Sequence, residues 1–160
     1  MSDFDTALAL VAEHFKGVRD KAGMPYVLHC LRATMHVDSL DAKMVAIMHD
    51  LVEDTLVTMD DLREHGFSKT VLDAIERVTH LPDVSYADYV VKIKGNPIAR
   101  EVKLADLRDN TDPSRALLRE GREQRDSKRI QKYLLSYQFL SDQQDEPSYR
   151  RRMLALEQKD

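Results

Sequence analysis

The chain has 160 residues, which is enough for one domain with its own hydrophobic core and too few for two domains of ordinary size. Its 42% hydrophobic and 32% charged residues are typical of a globular protein, and without a transmembrane span or signal peptide we expect a cytoplasmic protein with no membrane contact. The net charge of -4 argues against general nucleic-acid binding, because duplex affinity depends on clustered Lys and Arg.

The spacing of apolar residues predicts an all-α fold of eight or nine helices in a single domain over 1–160. The predicted helices cover 4–15, 26–37 with Pro25 in the first turn, 41–55, 58–66 between Thr58 and Gly66, 69–81, 85–95 capped by Ser85, 96–110 with Pro97 near its start, 126–140 and 148–158. The single cysteine, Cys30, can form no internal disulfide and is expected to be a small core residue.

The segment AIMHDLVEDT, residues 46–55, carries a His-Asp and a Glu-Asp pair within an apolar run. On one continuous helix, at about 100° per residue, the four polar side chains share a face: His49, Asp50, Glu53 and Asp54. A face turned to solvent would explain this pattern. Such faces usually mix Lys, Arg, Glu and Gln, however, whereas imidazole and carboxylate groups are typical ligands of a divalent metal.

Two further residues favour the metal interpretation. His29 lies among apolar residues of the predicted second helix, and Asp106 lies within VKLADL. An ionised carboxylate is costly to bury without a partner, and a metal ion would satisfy both side chains. The combined pattern of one His, a His-Asp pair and a distant Asp therefore favours a metal site over a solvent-exposed face.

Three sequence blocks carry a family resemblance. HFKGVRDKAGMPYVLH, AIMHDLVEDT and VKLADLRDN resemble, in this order, the signature blocks of the HD-domain metal-dependent phosphohydrolases. More narrowly, they resemble the hydrolase domain of the RelA/SpoT family and its small stand-alone relatives, which remove the 3′-pyrophosphate from guanosine tetra- and pentaphosphate. The resemblance covers 7–110, and the residues after Asn110 add no recognisable match to it.

The resemblance implies a nucleotide substrate and one divalent metal ion, typically Mn²⁺. The implied metal ligands are His29, His49, Asp50 and Asp106. One residue of the catalytic pair Glu53 and Asp54 would orient or deprotonate the attacking water. The implied substrate-binding residues are Arg19, packed against the base, Lys21, near a phosphate, and Asn110, in contact with the nucleotide.

The sequence departs from the family pattern where Asp20 separates Arg19 from Lys21, which bears on base preference. The sequence thus predicts an alarmone pyrophosphohydrolase. It leaves open a phosphohydrolase for another substrate, such as an adenine alarmone or a nucleoside monophosphate, and a non-catalytic nucleotide-sensing module. Outside the motifs, His80 is expected to be structural, Tyr86 and Tyr89 are expected to pack in the core, and the apolar face of 130–140 could serve the core or a homo-oligomer contact.

Overall fold

The computed structural model describes residues 2–158, and this part of the chain is helical, with an isolated backbone bridge between Arg19 and Pro25 and no strand. Met1, Lys159 and Asp160, the ends of the predicted 1–160 domain, lie outside the described residues. The helices are α1 (Phe4–His14), α2 (Val27–Thr34), α3 (Leu40–Met48), α4 (Leu51–Asp54), α5 (Met59–Glu64), α6 (Lys69–Val78), α7 (Tyr86–Lys94), α8 (Pro97–Asn110), α9 (Glu123–Leu140) and α10 (Glu146–Glu157).

The predicted all-α class is confirmed, and several helix starts follow their capping residues. Thr58 forms a reciprocal capping box with Asp61, Ser85 caps α7, and Pro97 occupies the first turn of α8. Pro25 differs from the prediction because it lies in the turn before α2 and pairs with Arg19 across that turn. These three helices therefore begin where a side chain satisfies one of the first free backbone N–H groups, whereas α2, α4 and α9 begin without a side-chain cap.

The predicted continuous helix over 41–55 is wrong, because it is interrupted at His49 and Asp50. α3 ends at Met48, and α4 begins at Leu51. The His49 imidazole donates through Nδ1 to the carbonyl oxygen of Ala46 at 2.8 Å, and this carbonyl is the acceptor that residue 50 would use in an uninterrupted helix. His49 is also buried, so the idea of a solvent-exposed polar face fails at this residue.

α3 is the central helix of the core. It packs against α1, α2, α6 and α8, and five consecutive side chains, from Met44 to Met48, are buried. α8 in turn packs against α2, α3 and α9. The two helices that carry His29 and Asp106, α2 and α8, therefore meet α3, and His49 and Asp50 follow directly after the last residue of α3. Within residues 2–158, no helix combines the length and hydropathy that a membrane crossing requires.

The C-terminal helices α9 and α10 pack against each other and against α7, and α9 also contacts α8. The rings of Phe139 and Tyr149 stack with centroids 4.7 Å apart, and the Tyr149 hydroxyl lies 3.0 Å from Ser136 Oγ. The residues that lacked a family match are therefore part of the same packed body as the signature region.

Candidate metal centre and active-site cavity

The four predicted metal ligands lie together where α2, α3 and α8 meet. The Nε2 atoms of His29 and His49 are 3.2 Å apart, and Asp106 Oδ1 lies 3.2 Å from the first and 3.5 Å from the second. Asp50 Oδ2 lies 2.9 Å from His49 Nε2 and 3.6 Å from His29 Nε2. The Tyr26 hydroxyl donates to the same Asp50 oxygen at 2.5 Å. Two imidazoles and two carboxylates thus turn their ligand atoms toward one small volume.

The second nitrogen of each imidazole is held by an acceptor. His29 donates through Nδ1 to Asp109 Oδ2 at 2.6 Å, and His49 donates through Nδ1 to the Ala46 carbonyl. A carbonyl oxygen can only accept, so the proton of neutral His49 sits on Nδ1 and the lone pair of Nε2 faces the cluster. This is the usual arrangement of metal-binding histidines. The donor set therefore fits one divalent transition-metal ion.

The buried charges of the cluster favour a cation. Burial alone would lower the pKa of His29, but hydrogen bonds and charges from Asp106 and Asp50 raise this pKa to about 9. Burial raises the pKa of Asp106, yet Lys103 and the two histidines hold it well below its usual range. Protons and a metal ion compete for the same imidazole nitrogens, so we expect metal affinity to rise with pH.

Asp106 is positioned by two neighbours on its own helix. Lys103 donates to Asp106 Oδ2 at 2.8 Å, and Asn110 donates to Asp106 Oδ1 at 2.5 Å. Lys103 was not among the predicted site residues, although its spacing of three residues from Asp106 places both on one face of α8. Asn110, predicted to contact the nucleotide, both holds a predicted metal ligand and faces the cavity described next.

A cavity of about 430 Å³ opens above the cluster. The predicted residues that line it are Arg19, Lys21, His29, Asp50, Glu53, Asp54, Asp106 and Asn110. Residues that the sequence analysis did not assign to the site also line it: Asp20, Ala22, Tyr26, His80, Tyr86, Tyr89, Lys103, Arg115, Leu117, Arg129, Lys132 and Tyr133. His49 does not line the cavity and reaches the site through the buried cluster.

The predicted catalytic pair lies on the short helix α4. Glu53 Oε2 accepts a hydrogen bond from the backbone N–H of His80 at 2.9 Å. Partial burial, with the charges of Asp50 and Glu53, raises the pKa of Asp54. The His80 ring bonds through Nε2 to the Val84 carbonyl at 2.7 Å, so His80 is held structurally, as expected, and also forms part of the cavity wall.

The turn before α2 is organised by Asp20, the residue that departs from the family pattern. Its Oδ1 accepts hydrogen bonds from the backbone N–H groups of Ala22 and Met24, each at 2.9 Å. The Arg19 guanidinium donates to the Gly23 carbonyl at 2.8 Å, and Gly23 adopts a φ of 80°, which glycine tolerates best. Asp20 therefore sets the shape of the turn that places Arg19 at the cavity.

A chain of ion pairs connects this turn to the candidate metal centre. Arg115 donates to Asp20 Oδ2 at 2.7 Å and also to the carboxylate of Asp109. Asp109 is buried, accepts a further hydrogen bond from Arg32 Nε at 2.6 Å, and holds the ring of His29. The orientation of His29 thus depends on Asp109, which the sequence analysis did not identify.

We expect Asp109→Asn to weaken divalent-metal binding by about 10- to 100-fold, because loss of a carboxylate that orients a ligand histidine typically costs this much. Metal affinity is measured by calorimetry on folded protein, with unfolding temperature recorded because Arg32 and Arg115 lose a charged partner. Asp73→Asn, on the exposed face of α6, is the matched control. Equal affinities of the two variants would contradict the role given to Asp109.

The residues after Asn110 contribute more than the sequence analysis expected. Arg129, Lys132 and Tyr133 of α9 line the cavity, as do Arg115 and Leu117 from the preceding loop. Lys132 and Tyr133 follow Arg129 by three and four residues, so these three side chains share one face of α9. The spacing was visible in the sequence, but nothing in it indicated that this face turns toward α8.

Sequence comparison finds relatives that are much longer than this chain. No family model matches it. It is 31% identical over 137 residues to the GTP pyrophosphokinase of Streptomyces coelicolor, and the aligned region covers 77% of this chain and 16% of that protein. It is 31% identical over 87 residues to the bifunctional (p)ppGpp synthase/hydrolase SpoT of Escherichia coli, and this aligned region covers 51% of this chain and 12% of that protein. The chain thus spans less than a fifth of either relative.

Structural comparison finds a neighbour of similar size. A solved structure of a metazoan ortholog of SpoT that hydrolyzes ppGpp matches with a TM-score of 0.68 at 20% identity, covering 86% of this chain and 85% of that chain. The protein therefore has the helical HD-domain fold. Its homologues include proteins of the SpoT type, which confirms the resemblance predicted from the three sequence blocks.

Proposed function

We propose that this protein is a metal-dependent pyrophosphohydrolase that removes the 3′-pyrophosphate from alarmone nucleotides such as guanosine tetraphosphate. The observation that carries the proposal is a buried His/Asp cluster that opens into a cavity lined by cations, with Glu53 and Asp54 on its wall. The named activities of the SpoT relatives and of the structural neighbour support it. The Streptomyces relatives are named for a pyrophosphokinase activity, and this chain matches 16% of their length.

In this proposal, His29, His49, Asp50 and Asp106 would hold one divalent cation, which the family resemblance suggests is Mn²⁺. When bound, such an ion polarises a phosphoryl oxygen and makes water more acidic. The side chains around it keep the ligands in their reactive form. Lys103 neutralises the second oxygen of Asp106, and the Tyr26 hydroxyl fixes Asp50, so both carboxylates stay ionised and oriented.

Glu53 is the proposed base. Its Oε2 is held by the His80 N–H, which leaves Oε1 to take a proton from the attacking water. The water oxygen forms a bond to the phosphorus attached to the nucleotide 3′ oxygen. The bond between this phosphorus and the oxygen that bridges the two phosphates stays intact. The bond to the 3′ oxygen breaks, and this oxygen takes a proton from solvent to become a 3′ hydroxyl. Lys21 and Arg129 would offset the charge of the pyrophosphate.

The first test measures pyrophosphate and phosphate release by the Mn²⁺-loaded protein from guanine and adenine alarmones and from nucleoside monophosphates. We expect one pyrophosphate per guanosine diphosphate formed from guanosine tetraphosphate. If the protein hydrolyses only adenine alarmones or only monophosphates, its substrate is a different one. Base preference is tested because Asp20, which departs from the family pattern, shapes the turn that places Arg19 at the cavity. Nucleotide binding without any product would instead indicate a sensing module.

A further inference from the structure

A second cavity, of about 530 Å³, adjoins the first one. The two cavities share the wall residues Lys21, Tyr86, Arg129, Lys132 and Tyr133. The rest of the second cavity is formed by residues of the α9 region and by α10: Arg119, Arg122, Arg125, Lys128, Met153, Leu156 and Glu157. The second cavity therefore continues from the candidate active site toward the C-terminal helices.

Positive charge dominates this second cavity although the whole chain has a net charge of -4. Seven of its twelve lining residues are basic and one is acidic. Asp126 pairs with Arg119 at 2.6 Å and with Arg129 at 2.9 Å. Within residues 2–158, Arg122 and Arg125 form no ion pair, and both side chains are exposed. Unpaired cations around a concave surface attract anions.

The lysines of the shared wall lie within reach of charges in both cavities. Burial lowers the pKa of Lys21, as do Arg129 and Arg119, while Asp54 acts in the opposite direction. Burial also lowers the pKa of Lys132, and Lys103 lowers it further. An anion placed between the cavities would relieve this repulsion between cations.

The Tyr86 hydroxyl is a second and independent indication of a ligand. Within residues 2–158, its oxygen is the one buried side-chain polar atom without a hydrogen-bond partner. Its residue lines both cavities, and Lys132 Nζ lies 4.1 Å from the centroid of its ring. Buried hydroxyl groups are normally paired, because an unpaired one loses its hydrogen bonds to water. A ligand with acceptor oxygens would complete the site.

We propose that the second cavity is a subsite for the phosphate chain at the end of the nucleotide remote from the metal centre. Tyr86 and Lys132 would contact this chain at the shared wall, and Arg122 and Arg125 would contact its far end. The inference rests on the proposed function and adds to it a specificity: affinity for the substrate increases with the number of remote phosphates. The shared wall favours a covalently attached chain over a separately bound inorganic anion, because one ligand can span both cavities.

The test compares guanosine 3′-diphosphates that carry one, two or three 5′ phosphates. For the wild-type protein we expect KM to fall with each added phosphate. In Arg122→Gln/Arg125→Gln, KM for the longest substrate should rise about tenfold, because hydrogen bonds to charged groups are lost, while kcat and metal content stay near wild-type values. Arg63→Gln/Lys69→Gln removes the same charge from α5 and α6, away from both cavities, and should change neither KM nor its trend. An unchanged trend in the Arg122/Arg125 double variant would overturn the inference.

Tyr86→Phe separates binding from structure. Within residues 2–158 the hydroxyl has no hydrogen-bond partner, so its removal should leave the unfolding temperature unchanged or raise it, while KM for the longest substrate rises. A lower unfolding temperature together with an unchanged KM would mean that the hydroxyl has only a structural role, which would overturn the contact assigned to it.

Binding of inorganic tripolyphosphate, followed by calorimetry, tests the subsite without turnover. We expect it to bind the wild-type protein, to bind about tenfold more weakly to the Arg122/Arg125 double variant, and to compete with nucleotide binding. This result would support the subsite even if no alarmone is hydrolysed, in which case only the proposed function fails. Equal binding to both proteins, or binding that does not compete with nucleotide, would overturn the inference.

Discussion

Replacement of Asp106 by asparagine is expected to abolish divalent-metal binding and to reduce turnover by about 1000-fold or more, since a bound metal supplies several kcal/mol of transition-state stabilisation. Asp106 Oδ1 lies 3.2 Å from His29 Nε2 and 3.5 Å from His49 Nε2, and no other predicted ligand comes from α8. An asparagine of nearly the same size removes the negative charge but fills the same space.

The measurement for Asp106→Asn is metal content by mass spectrometry together with pyrophosphate release. Lys103 loses its buried counter-charge in this variant, so unfolding temperature is measured in parallel. Asp73→Asn on α6 provides the same chemical change at an exposed ion pair and should keep full metal content and rate. A folded Asp106→Asn protein that retains stoichiometric metal would contradict the assignment of this cluster as the metal centre.

The second large effect is expected for Glu53→Gln, which should lower the turnover rate without lowering the metal content. Glutamine keeps an oxygen that can accept from the His80 N–H but cannot take a proton from water. Metal content should therefore stay at the wild-type level. Turnover should fall by about 100- to 10,000-fold, the usual contribution of a general base.

Rates for Glu53→Gln are measured with saturating Mn²⁺ and compared with Glu76→Gln, which changes a glutamate on α6 outside both cavities. A Glu53→Gln protein with full rate would show that Glu53 is not the base. Asp54, whose pKa is raised by its surroundings, would then be the next residue to replace.

The fold could be predicted from the sequence largely because local rules decide it. Thr58, Ser85 and Pro97 mark helix starts through contacts within a few residues, and Cys30 is buried on the apolar face of α2 as expected. The break at His49 could not be predicted in this way. It is associated with a side-chain bond to the Ala46 carbonyl, while helical periodicity alone favours continuation.

The gathering of His29, His49, Asp50 and Asp106 was predicted from their ligand types together with the family resemblance, since no local rule brings residues 29 and 106 together. Residues without a motif were missed for the same reason. Asp109 bonds to Nδ1 of His29, on the opposite side of the ring from the cluster. The basic face of α9 lines the cavity only because α9 packs on α8. Long-range packing decides these contacts, and a single sequence does not display it.

The ion-pair chain from Asp20 through Arg115 and Asp109 to His29 joins the turn of Arg19, the proposed nucleotide contact, to the proposed metal centre. A nucleotide that tightens the turn around Arg19 would therefore also tighten the metal site, and by thermodynamic reciprocity the metal would strengthen nucleotide binding by the same factor. A substitution in this turn that changes base preference would consequently also change the affinity for the metal. The two properties could therefore not be altered independently.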